Sequence, residues 1–310
     1  MNFAPDRAFY LAGATAVGKS AVALELAERL DGEIVSVDSM QVYRGLDLGT
    51  AKPTPAERAR VPHHLIDVVD LTGRFDAAAF VREATAVAAT LQSRGRVPVF
   101  CGGTGLYFQA LLGGLGEAPP ADANLRTELE RVPLGTLLAE LAQQDPVTFE
   151  RIDRQNPRRV IRAIEVIRLT GRPFSAQRAG WGEGGPSTGP KPGRVCLWRE
   201  PAVLRLRIEQ RVEAMFAAGL VEETRRLQQQ GLERNPAAMQ ALGYRQVVEH
   251  LRGERDLAAT IALVKQKTWQ FARRQATWFR RYWPGEWVEL KAEETPATVA
   301  ERLAAAWMPR

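Results

Sequence analysis

Gly13-Ala14-Thr15-Ala16-Val17-Gly18-Lys19-Ser20 is the stretch of sequence that decides the fold. An apolar run over residues 9–12 precedes it and a helix-like segment over residues 21–27 follows, which is the context that a phosphate site of pattern G-x-x-x-x-G-K-[ST] requires. The glycines let successive N–H groups point at one anion, and the helix adds the positive end of its dipole. Lys19 supplies a mobile positive charge and Ser20 a hydroxyl suited to Mg²⁺. Residues 13–20, the P-loop, therefore predict a phosphate site and leave the molecule that carries the phosphate open.

Length and composition describe an ordinary globular chain of 310 residues, 45% hydrophobic and 25% charged. Two cysteines are too few for a disulfide framework or a four-cysteine zinc site, so we expect buried thiols at Cys101 and Cys196 and a cytoplasmic protein. No apolar run approaches the roughly 20 residues of a membrane span, so no membrane partner is expected. The net charge of +6 permits an acidic partner, although an arginine-rich surface explains it equally well.

Strands and helices alternate through the first hundred residues. Strand-like runs cover residues 33–37 and 96–101, and a helical pattern covers about residues 76–94. Such alternation predicts an α/β fold, a P-loop NTPase-like parallel sheet flanked by helices. The P-loop, Asp38 and Thr104 each follow a predicted strand, and ligands of such sheets bind beyond the carboxyl ends of the strands. We therefore expect these three features to share one crevice.

The middle of the chain predicts an all-helical insertion domain. Glycine- and proline-rich stretches at residues 113–123 and 180–193 read as connections. Between them, a helix is expected to start at Asn156 and stop at Gly171, with an inward face at residues 160, 163, 164 and 167. Arg158, Arg162 and Glu165 share the opposite, outward face. We expect residues 1–116 to form the first part of the core domain, residues 117–197 the insertion, and residues 198–310 the second part of the core with basic C-terminal helices.

The segment over residues 265–283 carries six basic residues, six aromatic residues and no acidic residue. Phe271, Trp278 and Tyr282 fall on one helical stripe, which we assign to the core. The remaining face is then a positive surface formed by Lys267, Arg273, Arg274, Arg280 and Arg281. Phosphate backbones are the commonest partner of such a surface, so the segment favours nucleic-acid binding.

These features leave three classes of protein open. A P-loop in a chain of this size is typical of an ATP-binding, nucleotide-dependent kinase. The same loop could instead hold a diphosphate as a leaving group. The third class is a P-loop switch protein that binds nucleotide and partners without chemistry of its own.

Residues 37–53, the signature segment VDSMQVYRGLDLGTAKP, closely resemble a motif of the tRNA dimethylallyltransferases, also called tRNA isopentenyltransferases. The likeness continues, in the family's order, through residues 62–67, 102–107, 156–163, 207–211, 243–246 and 273–279. It implies transfer of the dimethylallyl group of dimethylallyl diphosphate to the exocyclic amine of the adenosine at tRNA position 37, just 3′ of the anticodon. It also implies a need for Mg²⁺ and a helical insertion that grips the anticodon stem-loop. The lack of cysteines near the C-terminus indicates the bacterial type, which we expect to act as a monomer.

The resemblance assigns roles around the crevice. The isoprenoid diphosphate, rather than ATP, would lie against Gly13, Ala14, Thr15, Ala16, Val17, Gly18, Lys19 and Ser20, with Ser20 as the ligand of Mg²⁺. Asp38 matches the general base, Thr104 a hydrogen-bond donor toward the diphosphate, and Arg211 the arginine that supports it. Ala14 stands where the family often has proline.

The resemblance also assigns contacts to tRNA. The target adenine must leave its stack to be reached, so it is expected to flip into the crevice. Met40 and Gln41 are placed to touch the base. Asp38, Ser39 and Thr104, beside them, are also assigned to tRNA binding. The residues of the insertion that match tRNA contacts are Arg126, Arg158, Arg159, Val160, Ile161 and Arg162. The matching residues of the second core part are Gly243, Tyr244 and Arg245.

Overall fold

A computed structural model of the chain describes residues 3–177 and 193–307. The chain divides into two compact units, Met1–Leu112 with Pro186–Arg310 (unit 1) and Gly113–Gly185 (unit 2). The connection predicted at residues 180–193 lies, except for Gly193, outside the described residues. Unit 2 is shorter than the insertion predicted at residues 117–197, and the difference at its end has a clear cause in the sheet.

Unit 1 is built on a parallel sheet whose described strands follow the order β3-β2-β4-β1-β5-β6. The strands are β1 Phe9–Gly13, β2 Gly32–Val37, β3 His63–His64, β4 Val97–Gly102, β5 Arg194–Trp198 and β6 Glu286–Glu289. All five residues of β1 are buried, because helices cover both faces of the sheet. The predicted α/β fold is confirmed.

Strand β5 corrects the predicted end of the insertion. It pairs in parallel with β1, with Val195 opposite Leu11 and Cys196 opposite Ala12. Residues 194–197 therefore belong to the sheet of unit 1 and not to the insertion. The sequence of residues 195–198 itself predicts a strand that returns to the sheet, which β5 matches, so the error was only to place the end of the insertion inside that strand.

Most helices of unit 1 pack on the two faces of the sheet. The helices of this unit are α1 Lys19–Arg29, α2 Pro55–Arg60, α3 Ala77–Ser93, α4 Gly105–Gly113, α9 Pro201–Ala217, α10 Leu220–Gln229, α11 Tyr244–Leu251, α12 Leu257–Tyr282 and α13 Pro296–Trp307. Residues of α1, α9, α12 and α13 share one hydrophobic cluster, and residues of α3 and α4 share a second with Phe279 and Trp283, whereas α10 and α11 form a separate hydrophobic cluster with residues 42–48. Cys101 and Cys196 are buried free thiols, as expected. None of the described helices is long and apolar enough to cross a bilayer.

Helix α12 presents a different face to the core from the one predicted. Its buried residues are Thr260, Val264, Thr268, Ala272, Gln275 and Phe279. Phe271, Trp278 and Tyr282, assigned to the core from sequence, are only half-buried. Trp278 packs against the core, but Phe271 and Tyr282 belong to no hydrophobic cluster of the described residues, so the predicted stripe was wrong for these two. The prediction chose the stripe of α12 that carries aromatic residues. The face that is in fact buried contains a polar side chain, Gln275. The five basic residues of the predicted positive surface are all exposed, as expected.

Unit 2 is helical throughout its described residues. Its helices are α5 Ala123–Leu129, α6 Leu134–Gln144, α7 Pro146–Arg151 and α8 Pro157–Thr170. Asn156 caps the start of α8 by accepting a hydrogen bond from the Arg159 amide, and Gly171 ends it in the left-handed conformation. The predicted inward residues 160, 163, 164 and 167 form its core face.

Glu165 does not lie on the outward face of α8, as predicted, but is fully buried. Its carboxylate accepts a hydrogen bond from the Asp122 amide at 3.0 Å. It also pairs with Arg126 at 2.6 Å and with Arg162 at 2.7 Å. A buried carboxylate requires such partners. Arg162 is three residues away on α8, but Asp122 and Arg126 come from a distant part of the chain that helical periodicity does not reveal.

Candidate active site

The ends of three adjacent strands bring the predicted site together. The P-loop follows β1, Asp38 follows β2 and Thr104 lies two residues after β4. Strand β4 lies between the other two, and its Gly102 is opposite both Ala12 of β1 and Val37 of β2. The three features therefore share one edge of the sheet, where the sequence places them.

The P-loop has the backbone conformation of a tight turn around an anion. Gly13 and Gly18 have φ angles of 149° and 115°, and Ala16 lies in the left-handed region at 61°. A non-glycine residue held in that region stores strain, which is common where a loop is shaped for binding. A side chain at Gly13 would also overlap the Leu197 carbonyl, because β5 passes directly beside it. The loop is therefore fixed by its neighbours before any ligand binds.

Lys19 folds back onto this loop. Its Nζ donates a hydrogen bond to the Ala14 carbonyl at 2.7 Å. Burial and then the charge of nearby Arg211 lower the pKa of Lys19, and Cys101 and the Asp38 carboxylate oppose the shift, so that the pKa lies at about 8. Desolvation therefore destabilises the charged form of Lys19, and a bound anion would offset this destabilisation.

Arginines surround the same loop. Nη1 of Arg211 lies 3.4 Å from Oγ1 of Thr15. Burial and then the charge of Arg207 lower the pKa of Arg211, while Asp38 opposes the shift. Nε of Arg207 donates to the Ala16 carbonyl at 2.9 Å, and Nε of Arg199 donates to the Val17 carbonyl at 2.8 Å. Sequence reasoning missed Arg199, because only the fold shows that the residue after β5 reaches the P-loop.

We expect the affinity for a diphosphate ester to decrease above about pH 8, where free Lys19 loses its proton. A bound anion favours the protonated amine, so affinity should fall by up to about tenfold per pH unit above that value. Calorimetric titrations from about pH 7 to about pH 9.5 measure the effect. Lys19→Arg keeps its charge over this range and should give a flat profile. A flat profile for the wild-type protein would rule out Lys19 as the titrating group.

Asp38 is held through one carboxylate oxygen. Its Oδ1 accepts hydrogen bonds from the amides of Met40 at 2.8 Å and Gln41 at 3.2 Å. Oδ2 accepts no hydrogen bond from the described residues, and the side chain is half-buried. One oxygen therefore fixes the carboxylate while the other is available to a ligand.

Thr104 connects two of the strand ends. Its Oγ1 accepts a hydrogen bond from the Ser39 amide at 3.0 Å, next to Asp38. Its own amide donates to the Val37 carbonyl at 3.1 Å. Gln41 of the same segment accepts a hydrogen bond from Ser36 at 2.9 Å. Thr104 thus holds the start of the signature segment against the turn that follows β4.

Tyr244 lies behind the signature segment and not on a surface open to RNA. It is fully buried, and its hydroxyl donates to Oε1 of Glu223 at 2.6 Å and accepts from the Gly49 amide at 3.0 Å. Glu223 also accepts hydrogen bonds from the amides of Asp47 and Leu48. The side chain of Tyr244 therefore shapes residues 47–49 from inside, and the tRNA contact expected at this position stays a prediction.

Replacing Tyr244 by phenylalanine is expected to lower the free energy of unfolding by about 1–3 kcal/mol, because it leaves the Gly49 amide without its acceptor inside the protein. Urea unfolding measures the change. Tyr282→Phe is the matched control, since its hydroxyl makes no hydrogen bond to the described residues. It should change the free energy by less than about 0.5 kcal/mol. Equal effects of the two substitutions would contradict the role of Tyr244.

The other predicted tRNA contacts differ in exposure. The side chains of Val160 and Ile161 are buried and pack among the helices of unit 2, and the tRNA contacts expected at these two positions stay predictions. Gly243 is also buried and has a φ of 96°. The residues that keep an exposed or partly exposed side chain are Ser39, Met40, Gln41, Arg126, Arg158, Arg159, Arg162 and Arg245.

A strained phosphate loop beside basic side chains and a carboxylate defines this chain as an α/β P-loop protein with a site for a phosphorylated ligand. The family model described as IPP transferase matches residues 41–282. The chain is similar to tRNA dimethylallyltransferase 1 of Trichlorobacter lovleyi, with 46% identity over 91% of this chain and 93% of that protein. It is 50% identical to tRNA dimethylallyltransferase of Halorhodospira halophila, over 86% of this chain and 88% of the relative.

The solved structure of a tRNA isopentenylpyrophosphate transferase from Bacillus halodurans aligns with a TM-score of 0.67 and 36% identity. It covers 96% of this chain and 95% of its own. The chain belongs to the tRNA dimethylallyltransferase family of transferases. The resemblance carried by the signature segment is thereby confirmed.

Proposed function

We propose that this protein transfers the dimethylallyl group of dimethylallyl diphosphate to the exocyclic amine of the adenosine at tRNA position 37 and releases diphosphate. The observation that carries the proposal is the position of Asp38, at the strand end separated from the P-loop only by the end of β4. A cationic loop for the leaving group and a carboxylate for the proton are the two groups that this alkyl transfer needs.

The P-loop would stabilise the charge that develops on the diphosphate. As the allylic carbon–oxygen bond breaks, its electron pair passes to the diphosphate oxygen. Amides of the P-loop other than that of Thr15 would face that charge together with Lys19 and Arg211, and such fixed groups stabilise the transition state more than the ground state. Their burial strengthens the effect, since the interior screens charges poorly.

Asp38 would accept the proton from the adenine amine. The lone pair of the amine forms the new carbon–nitrogen bond, and the nitrogen then carries a proton that it must lose. Oδ2 of Asp38 is available, while Oδ1 keeps the carboxylate oriented through two backbone amides. Thr104 would hold the Asp38 segment in place through its hydrogen bond from the Ser39 amide. From the turn after β4 it would also contact the diphosphate.

Mg²⁺ fits the donor set around the P-loop. Among the described residues there is no group of three or more acidic, histidine or cysteine side chains that could hold a metal by itself. Mg²⁺ bound to a diphosphate commonly takes one protein ligand and several phosphate and water oxygens, and the exposed hydroxyl of Ser20 at the start of α1 provides one. When bound, the ion would neutralise charge on the leaving diphosphate.

Exposed basic residues would contact the RNA. The proposed phosphate contacts are Lys267, Arg273, Arg274, Arg280 and Arg281 on α12, with Arg158 and Arg159 on α8 and Arg245 on α11. We assign the anticodon stem-loop to unit 2, and we expect the protein to act as a monomer in the cytoplasm. Contacts of this kind lose affinity steeply with salt.

Stem-loop RNAs that differ only at position 37 test the substrate. With labelled dimethylallyl diphosphate, an RNA with adenosine at that position should be labelled, and a matched RNA with guanosine there should not. Equal labelling of both RNAs would contradict the assignment of the adenosine. Phosphorylation of the RNA from ATP without prenylation would identify a kinase instead.

A further inference from the structure

The turn at residues 102–105, the second glycine turn, is glycine-rich for a reason other than backbone freedom. Gly102, Gly103 and Gly105 do not have positive φ angles. A Cβ at Gly103 would overlap Nε2 of Gln275, and a Cβ at Gly105 would overlap the ring of Trp278. These two residues are three apart on α12, so one face of that helix lies directly on the turn. The turn is a packing surface for α12, in contrast to the P-loop.

Gln275 uses both ends of its side-chain amide to bridge two loops. Its Oε1 accepts a hydrogen bond from the Thr15 amide of the P-loop at 2.8 Å. Its Nε2 donates to the Gly103 carbonyl at 2.9 Å. The side chain is 8% exposed, so water competes little for either bond. A buried glutamine whose two ends are both satisfied by different loops fixes the separation of those loops.

The bridge extends to Asp38. The residue after Gly103 is Thr104, whose hydroxyl accepts from the Ser39 amide. Hydrogen bonds and two short covalent segments thus connect Thr15, Gln275, residues 103–104 and residues 38–39. Every link lies in unit 1. The chain of contacts runs from the loop that would hold the leaving group to the carboxylate that would take the proton.

We propose that Gln275 is a positioning residue that sets the separation between the P-loop and the Asp38 segment. The inference rests on the proposed function. In that function the carbon–oxygen bond that breaks lies at the P-loop, and the nitrogen that loses its proton lies at Asp38. Rates of such displacements depend strongly on the alignment of the reacting groups. The Thr15 amide is occupied by Gln275, so the diphosphate would be bound by the other amides of the loop.

Gln275→Met tests the bridge, since methionine nearly keeps the volume but makes neither hydrogen bond. We expect kcat to fall by about tenfold or more, with the KM for tRNA within about twofold of wild type. Affinity for pyrophosphate, measured by calorimetry without turnover, should fall at least about threefold because the P-loop loses its support. Thr268→Val is the control, because this buried side chain of α12 bonds only to its own helix, at the Val264 carbonyl.

Gly103→Ala forms the second arm of the test, because it displaces the same glutamine from the other side. The double variant with Gln275→Met should be no slower than the slower single variant, since both changes break one bridge. A Gln275→Met protein with lowered thermal stability but wild-type kcat and pyrophosphate affinity would show a structural role only. Multiplied effects in the double variant would also overturn the proposal. If the wild-type protein transfers no prenyl group, the proposed function fails. Unchanged pyrophosphate affinity in Gln275→Met would independently refute the role of Gln275 as a bridge between the loops.

Discussion

Asp38→Ala should lose about 10²–10⁴-fold in the rate of prenyl transfer and retain its affinity for tRNA. The amine of adenine needs no base before it attacks, but it must lose a proton as the new bond forms. No other group takes the place of Oδ2, because the neighbouring Lys19 and Arg211 are cationic. Affinity should persist because the proposed phosphate contacts are made by basic residues elsewhere.

Single-turnover rates with saturating tRNA measure this loss separately from binding. Asp70→Ala is the matched control, since this exposed carboxylate pairs only with Arg44 at the surface and should react at the wild-type rate. Asp38→Asn preserves an oxygen that can accept the two hydrogen bonds of Oδ1, but it replaces the basic oxygen Oδ2 by an amide nitrogen. This variant should therefore be nearly as slow as the alanine variant. Wild-type turnover in either Asp38 variant would exclude this residue as the base.

Lys19→Met should lower kcat/KM for dimethylallyl diphosphate by about 10²–10³-fold, because it removes a cation from a site where charge develops in the transition state. The half-buried position of Lys19 makes the loss large, since water replaces the ammonium group only in part. Its loss should affect kcat as well as KM, because the leaving group carries more localised charge as the bond breaks.

Initial rates over a range of dimethylallyl diphosphate concentrations separate the two effects. Lys265→Met removes the same charge from a surface position that pairs with Glu213, and it should leave the kinetics near wild type. A Lys19→Met protein that changes KM alone would mean that the lysine binds the substrate and the transition state equally. That result would contradict the role given to it here.

The strand ends were predictable because their signals are local. An apolar run followed by Asp38 or by the P-loop marks both the strand and the residue beyond it, and the parallel arrangement then places the ends together. The inward face of α8 was equally local, since it depends only on helical periodicity.

Residues that act through distant partners could not be predicted in this way. Glu165 was assigned to the surface because charged residues usually lie there, but arginines from two helices neutralise it inside unit 2. Gln275 and Tyr244 lie in segments that the family resemblance covers, yet their partners Thr15 and Gly49 are about 200 residues or more away in the chain. A polar side chain that satisfies buried backbone groups leaves no periodic pattern in its own sequence.

Prenyl transfer without ATP tests the central claim, that this P-loop holds a diphosphate leaving group. Purified protein, Mg²⁺, tRNA and labelled dimethylallyl diphosphate should give labelled tRNA and pyrophosphate in equal amounts, and added ATP should neither be hydrolysed nor be required. Labelled tRNA that appears only with ATP, or ATP consumption without labelled tRNA, would contradict the account.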